Sequence, residues 1–172
     1  MTRCGKNCQS GWRAMIWAGV IAGTLATLVQ VLLWLVFADD FPAILYRDAR
    51  LTAAMVLGGS VLPPPSTFDA GIMLAAALIH FTLSIIYAAL LVPLATRLKT
   101  VLALLAGAGF GVTLYIVNLY GFTAIFPWFV QARGWITLIV HAVFGVTAIS
   151  VCRWLNFRGP PFSSARCRPD GY

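Results

Sequence analysis

Residues 70–96 read AGIMLAAALIHFTLSIIYAALLVPLAT, a run of 27 residues without an Asp, Glu, Lys or Arg. A helix rises about 1.5 Å per residue, so roughly 20 apolar residues cross the ~30 Å hydrocarbon core of a bilayer. The run is long enough to span. Three more charge-free runs accompany it, at 14–38, 100–132 and 134–152. The second of these is too long for one helix, and Gly121 with Pro127 breaks it. The span is therefore placed at 101–120, and 121–134 becomes an aromatic loop. The sequence predicts an all-α integral membrane four-helix bundle in one domain, residues 1–155, with spans at about 14–38, 70–94, 101–120 and 134–154.

Composition agrees with this. Of the 172 residues 60% are hydrophobic and 10% are charged, whereas a soluble domain carries about 25% charged residues to cover its surface. A soluble enzyme, a disordered chain and a disulfide-rich secreted module are excluded. Basic residues set the orientation, because short cytoplasmic loops carry the excess of Lys and Arg. With the N-terminus inside, nine of the 12 Lys and Arg lie on the cytoplasmic side, and Arg47, Arg50 and Arg133 lie outside. The expected location is the bacterial inner membrane, with both termini cytoplasmic. The net charge of +7 flanks spans and forms no folded basic face, so lipid headgroups are the expected partner and nucleic acid is not. The first span has no small-residue cleavage site before Asp39 and is read as a retained anchor.

Between the first two spans, Leu51–Leu62 is too short to cross before Pro63, Pro64 and Pro65. The stretch Ile44–Leu57 is read as an interfacial helix, with Ser66 or Thr67 placed to cap the helix that follows. Tyr120–Phe129 is the most aromatic stretch and suits a belt at the membrane interface or a docking surface for another membrane subunit. Residues 156–172 lack apolar periodicity and are expected to be a disordered basic tail.

The spans resemble one another. Ala18-Gly19, Gly23 and Leu28-Val29-Gln30 in the first recur as Ala106-Gly107, Gly111 and Ile116-Val117-Asn118 in the third, at a constant offset. The two histidines, His80 and His141, fall in the second and fourth spans, each followed four residues on by Ser84 or Gly145. The pattern predicts two tandem hairpins in parallel repeat, with small residues at the helix seams.

Polar groups inside a span are costly and usually face the bundle interior. Gln30, His80, Asn118 and His141 are therefore the candidate site, as one intramembrane cluster. Three readings follow. The first is a non-enzymatic accessory or scaffolding membrane subunit in which the cluster specifies helix packing. The second is a bis-histidine b-type haem protein with His80 and His141 as axial ligands, although their depths differ by about one helical turn. The third is a small transporter or channel completed by oligomerisation. No nucleophile with a base and no carboxylate pair can be assembled, so no catalytic residue is assigned. Cys4, Cys8, Cys152 and Cys167 all fall on the reducing side without the paired spacing of a zinc site, so no metal is assigned. A homo-oligomer or a membrane-protein partner is expected.

The order Val61-Leu62-Pro63-Pro64-Pro65, Phe68-Asp69, His80-Phe81 with Ser84 and Tyr87, Tyr115–Phe122, Phe126–Phe129, Ala132-Arg133 and His141 resembles a group of small bacterial membrane proteins of unassigned activity. The likeness covers roughly residues 14–155. Some members carry the name sodium:proline symporter. Symporters of that kind build their ion site from inverted repeats with broken helices, which four parallel spans do not supply. The resemblance implies the membrane fold and the loops, and no particular activity.

Overall fold

The computed structural model describes residues 4–38 and 40–158, with side chains over 12–155 apart from residue 39. Five α-helices make up the fold: α1 (Cys4–Phe37), α2 (Ala43–Leu57), α3 (Ala70–Arg97), α4 (Thr100–Ile116) and α5 (Trp135–Arg158). There is no strand among the described residues. Four segments are long and apolar enough to cross a membrane: Trp12–Phe37, Ala70–Arg97, Thr100–Ala124 and Trp135–Leu155. Their outward faces carry exposed Leu28, Leu32, Leu35, Leu74, Leu78 and Leu105, the inverse of a water-soluble bundle. The chain is a polytopic membrane protein. Because α5 continues to Arg158, only the rest of the tail expected at 156–172 lies outside the described residues.

Asp69 starts α3: its Oδ1 accepts the Ile72 N–H at 3.0 Å. This corrects the expectation that Ser66 or Thr67 would cap, and the reason is positional. The cap must immediately precede the first helical residue, and Asp satisfies an orphan N–H there as well as Ser does. At the other end of α3, the Arg153 guanidinium donates to the carbonyls of Ala95 and Leu98 at 2.8 and 2.7 Å and to Thr100 Oγ1 at 3.1 Å. It thereby satisfies carbonyls that a helix C-terminus leaves open.

α4 does not stop at Gly121 but changes pitch before it. From Val117 to Gly121 the chain makes a π-turn, followed by short 3-10 turns at Phe122–Ala124 and Pro127–Ala132. Arg133 holds this irregular stretch. Its Nε donates to Leu119 O at 2.8 Å, its Nη2 to Thr123 Oγ1 at 3.2 Å, and its guanidinium carbon lies 4.0 Å from the Tyr120 ring centroid. Arg133 is thus a pin for the loop.

In the bundle, α1 packs against α3 and α5, α5 packs against all three other spans, and α3 and α4 touch only sparingly. The small-residue seams lie within the two hairpins. Gly19 and Gly23 face Ile85, Ser84 and His80 of α3, while Gly107 and Gly111 face Gly145, Ile149 and His141 of α5. In both hairpins the second glycine meets the histidine of the next span, in keeping with the internal likeness of the sequence. The hairpins differ at the second glycine, since Gly23 meets the side chains of Ser84 and His80 whereas Gly111 meets the backbone of α5, although α1 and α3 also come backbone to backbone at Gly19 and Ile85. Where α3 has Ser84, α5 has Gly145, and without a side chain there the α4 and α5 backbones come into contact. Around the seams, Ala18, Ala88, Leu91, Ala95, Ala103, Ala148, Ile149 and Cys152 form a fully closed core in the half of the bundle away from α2.

α2 docks on the bundle through buried Leu51, Ala53 and Ala54 and packs against α3. The aromatic loop tethers it from the other side, where the Trp128 indole N–H donates to Leu51 O at 2.9 Å. Trp128→Phe is expected to cost about 1 kcal/mol, the net worth of one such bond. It should also speed proteolysis between α4 and α5 in detergent, which limited digestion would read.

Candidate functional site

Because α3 and α4 part while α2 lies over the same end, the bundle forms a partly open cavity of about 440 Å³ in its α2 half. That volume lies within the roughly 300–1,000 Å³ of small-molecule pockets. All five helices contribute to its wall. Gln30 of α1, His80 of α3, Asn118 of the π-turn and His141 of α5 all line it. The two imidazoles line it from helices that pack together.

The four residues do not all do the same thing. His80 faces α1: its Nε2 lies 3.3 Å from both Gly23 O and Thr27 Oγ1. A carbonyl only accepts, so the Nε2 proton is donated to it and shared with the threonine. Thr27 in turn donates to Gly23 O at 3.0 Å. Asn118 Oδ1 accepts the Tyr87 hydroxyl at 2.9 Å, a bridge between α3 and α4 where their backbones have separated. These two polar residues bind helix to helix.

His141 and Gln30 behave otherwise. His141 Nδ1 donates to the carbonyl of Thr137, one turn earlier, at 2.8 Å. This leaves Nε2 as a lone-pair acceptor, and it has no hydrogen-bond partner among the described residues. Its ring meets Tyr115 edge-on at 5.8 Å between centroids, and Tyr115 also receives the Gly134 N–H at 3.3 Å. Gln30 makes no hydrogen bond among the described residues. Ser84, which lines the same cavity, is 4% exposed and likewise unpaired among them.

Ligation of a haem by both histidines would need a lone pair on each Nε2 directed at one iron. His141 presents one. His80 has its Nε2 proton committed to α1, so a bis-histidine site would require it to release Gly23 and Thr27. Among the described residues, no group of three or more His, Cys, Asp or Glu is placed to hold a metal. Cys152 is buried against Ala88 O in the core, far from the polar groups in role. The side chains of Cys4, Cys8 and Cys167 lie outside the described residues.

The sequence did not point to Thr27 and Asp48. Thr27 shares the stripe of Gly23 and Gln30, but a threonine in a membrane helix usually bonds its own i−4 carbonyl, which hides its second contact. Asp48 lies on α2 and lines the cavity, with Oδ1 accepting from Arg47 Nε and Nη2 at 2.9 and 2.8 Å. Burial raises its carboxyl above the ordinary value, Asp40 adds to that, and the neighbouring Arg47 works against it.

The chain matches no protein-family model, no curated protein and no solved structure.

Proposed function

We propose that this is a non-enzymatic membrane protein that holds a small, mostly apolar molecule in the α2 half of its bundle. The supporting observation is the convergence of unpaired polar groups from three helices, Gln30, Ser84 and His141, on one largely apolar cavity. Of these Ser84 is buried, and a buried polar atom is rarely left without a partner; a pocket with a few converging polar groups in an apolar wall is the usual form of a ligand site. The non-enzymatic reading rests on Thr27: it is a hydroxyl beside an imidazole, yet its proton goes to Gly23 O, so the histidine does not activate it. The closed alanine-rich core of the other half favours holding over passage.

An accessory role beside another membrane protein or a second copy suits such a holder. An orientation with both termini cytoplasmic fits the distribution of basic residues, and a bacterial inner membrane is the location proposed.

The test is native mass spectrometry of the protein released from nanodiscs made with the host membrane. A retained small molecule is expected in the wild type. It should be lost in Ala49→Phe, which fills the cavity from its α2 wall, in protein whose detergent gel-filtration profile is unchanged. Wild type and Ala49→Phe each appearing at the mass of its own bare chain would overturn the proposal.

A further inference from the structure

The geometry points to the chemical class of the occupant: a neutral, hydroxyl-bearing amphiphile. This rests on the ligand-holding reading above and deepens it. Three observations on the cavity wall carry it. First, no Lys or Arg lines the cavity, and its one carboxylate, Asp48, is already paired with Arg47. The wall is therefore neutral in net terms. An acid would find no cation, and an ammonium would find no free anion, while either would leave water at high cost. Second, the unpaired groups are of mixed sense. His141 Nε2 accepts only, the Ser84 hydroxyl donates or accepts, and the Gln30 amide does both. A carbonyl-only ligand would leave the imidazole lone pair unmet, and an ammonium, which only donates, would leave the Gln30 N–H groups unmet. A hydroxyl donates one bond and accepts others, so it can serve both. Third, Ser84 is unpaired although 4% exposed, which in a native interior calls for a partner that the chain itself does not supply.

The remaining wall is aliphatic and aromatic, including Leu83, Leu114, Phe129 and Phe144. That wall accommodates an alkyl or isoprenoid body. The hydroxyl would sit among Gln30, Ser84 and His141, and the body would lie against these side chains.

The probe is a ten-carbon primary alcohol carrying a mid-chain diazirine, photolysed with the full chain in nanodiscs. Labelled peptides would be mapped by mass spectrometry. Competitors of equal length are decanol, decanoate, decylamine and decane. Labelling inside α1, α3 and α5 at the cavity is expected, displaced by decanol and not by the other three. Ser84→Ala and Gln30→Leu should each weaken it about fivefold, as the loss of one hydrogen bond does, with unfolding midpoints close to wild type. Displacement by decanoate, decylamine or decane as effective as by decanol would overturn the chemical class while leaving a cavity that binds amphiphiles. Labelling confined to the lipid-facing leucines, with none at the cavity, would overturn the class and the ligand-holding reading together. Cavity labelling that both variants leave unchanged would overturn the assignment of the hydroxyl to Ser84 and Gln30.

Discussion

Replacing Gly145 by leucine is expected to prevent the α4–α5 hairpin from closing, giving protein that unfolds or aggregates on detergent extraction. A side chain at this position would run into Gly107 O, with the Gly111 nitrogen 2.9 Å away. Both obstacles are backbone. A flexible side chain can rotate aside, but a backbone atom moves only with its helix, so the whole seam must open. Overpacking a core usually costs about 1–3 kcal/mol and occasionally more, and here no rotamer relieves it. The loss is a large share of the roughly 5–15 kcal/mol that stabilises an ordinary domain. Even Gly145→Ala and Gly111→Ala should lower the unfolding midpoint, because a Cβ at Gly111 meets the backbone of His141 and Ala142. The control is Gly109→Ala on the same helix α4. It has nothing within 4 Å of its added Cβ, and alanine is the better helix former by about 1 kcal/mol. Unfolding in mixed micelles should therefore rank Gly109→Ala at or above wild type and Gly145→Leu far below. If Gly145→Leu were as stable as Gly109→Ala, the close α4–α5 seam would be wrong.

The same seam explains why the two histidines end in different places. His80 and His141 hold matching positions in their hairpins, each beside the second glycine of the preceding span. In the first hairpin the Ser84 side chain lies against Gly23, and the imidazole of His80 lies beside it and bonds Gly23 and Thr27. In the second, Gly145 lets the backbones touch, leaving no room for an imidazole between them. His141 instead turns to its own Thr137 carbonyl and to Tyr115, with Nε2 unpaired at the cavity. The helical spans and the polar residues that converge were legible in the sequence, because both depend on composition and period alone. The split of that cluster into two groups that tie helices together and two that face open space was not. It depends on which side chain, serine or none, stands opposite the second glycine of each hairpin.

α2 shows the other limit. Its length and position were readable, since Pro63 follows too soon for a span. Its amphipathicity is modest, so its seat on α3 and beneath Trp128 had no local signal: that contact joins residues 77 apart. Asp48 came with it. A charge next to two arginines reads as a solvated face of a surface helix, and only the docking of α2 turns it toward the cavity.

That placement makes Arg47→Met the most informative change outside the glycine seams. Arg47 and Asp48 are 27% and 17% exposed at the side chain, and both guanidinium bonds fall on one carboxylate oxygen. Removing the arginine leaves a mostly buried carboxylate with neither its counter-charge nor its hydrogen bonds. For fully buried pairs this costs about 3–5 kcal/mol, and with partial exposure about 2 kcal/mol is expected at neutral pH. The sign with pH follows from the direction of the Asp48 shift. Burial already raises its carboxyl above the ordinary value of 3.8, against the pull of Arg47. The folded state therefore binds a proton that the unfolded state has released, so stability falls as pH rises from the ordinary value through the folded one, then levels. Without Arg47 the carboxyl is raised further, and the fall deepens and extends to higher pH. Arg47→Met should thus be strongly destabilising at pH 8 and less so at pH 4, where Asp48 is closer to taking up its proton. Adding Asp48→Asn should restore most of the loss at pH 8 and remove the pH dependence, because a neutral amide needs no counter-charge. Unfolding midpoints of the two single variants, the double variant and wild type, measured at both pH values in a non-ionic detergent, close the cycle. Equal losses for Arg47→Met at the two pH values would show that the arginine acts through packing, with Asp48 solvated.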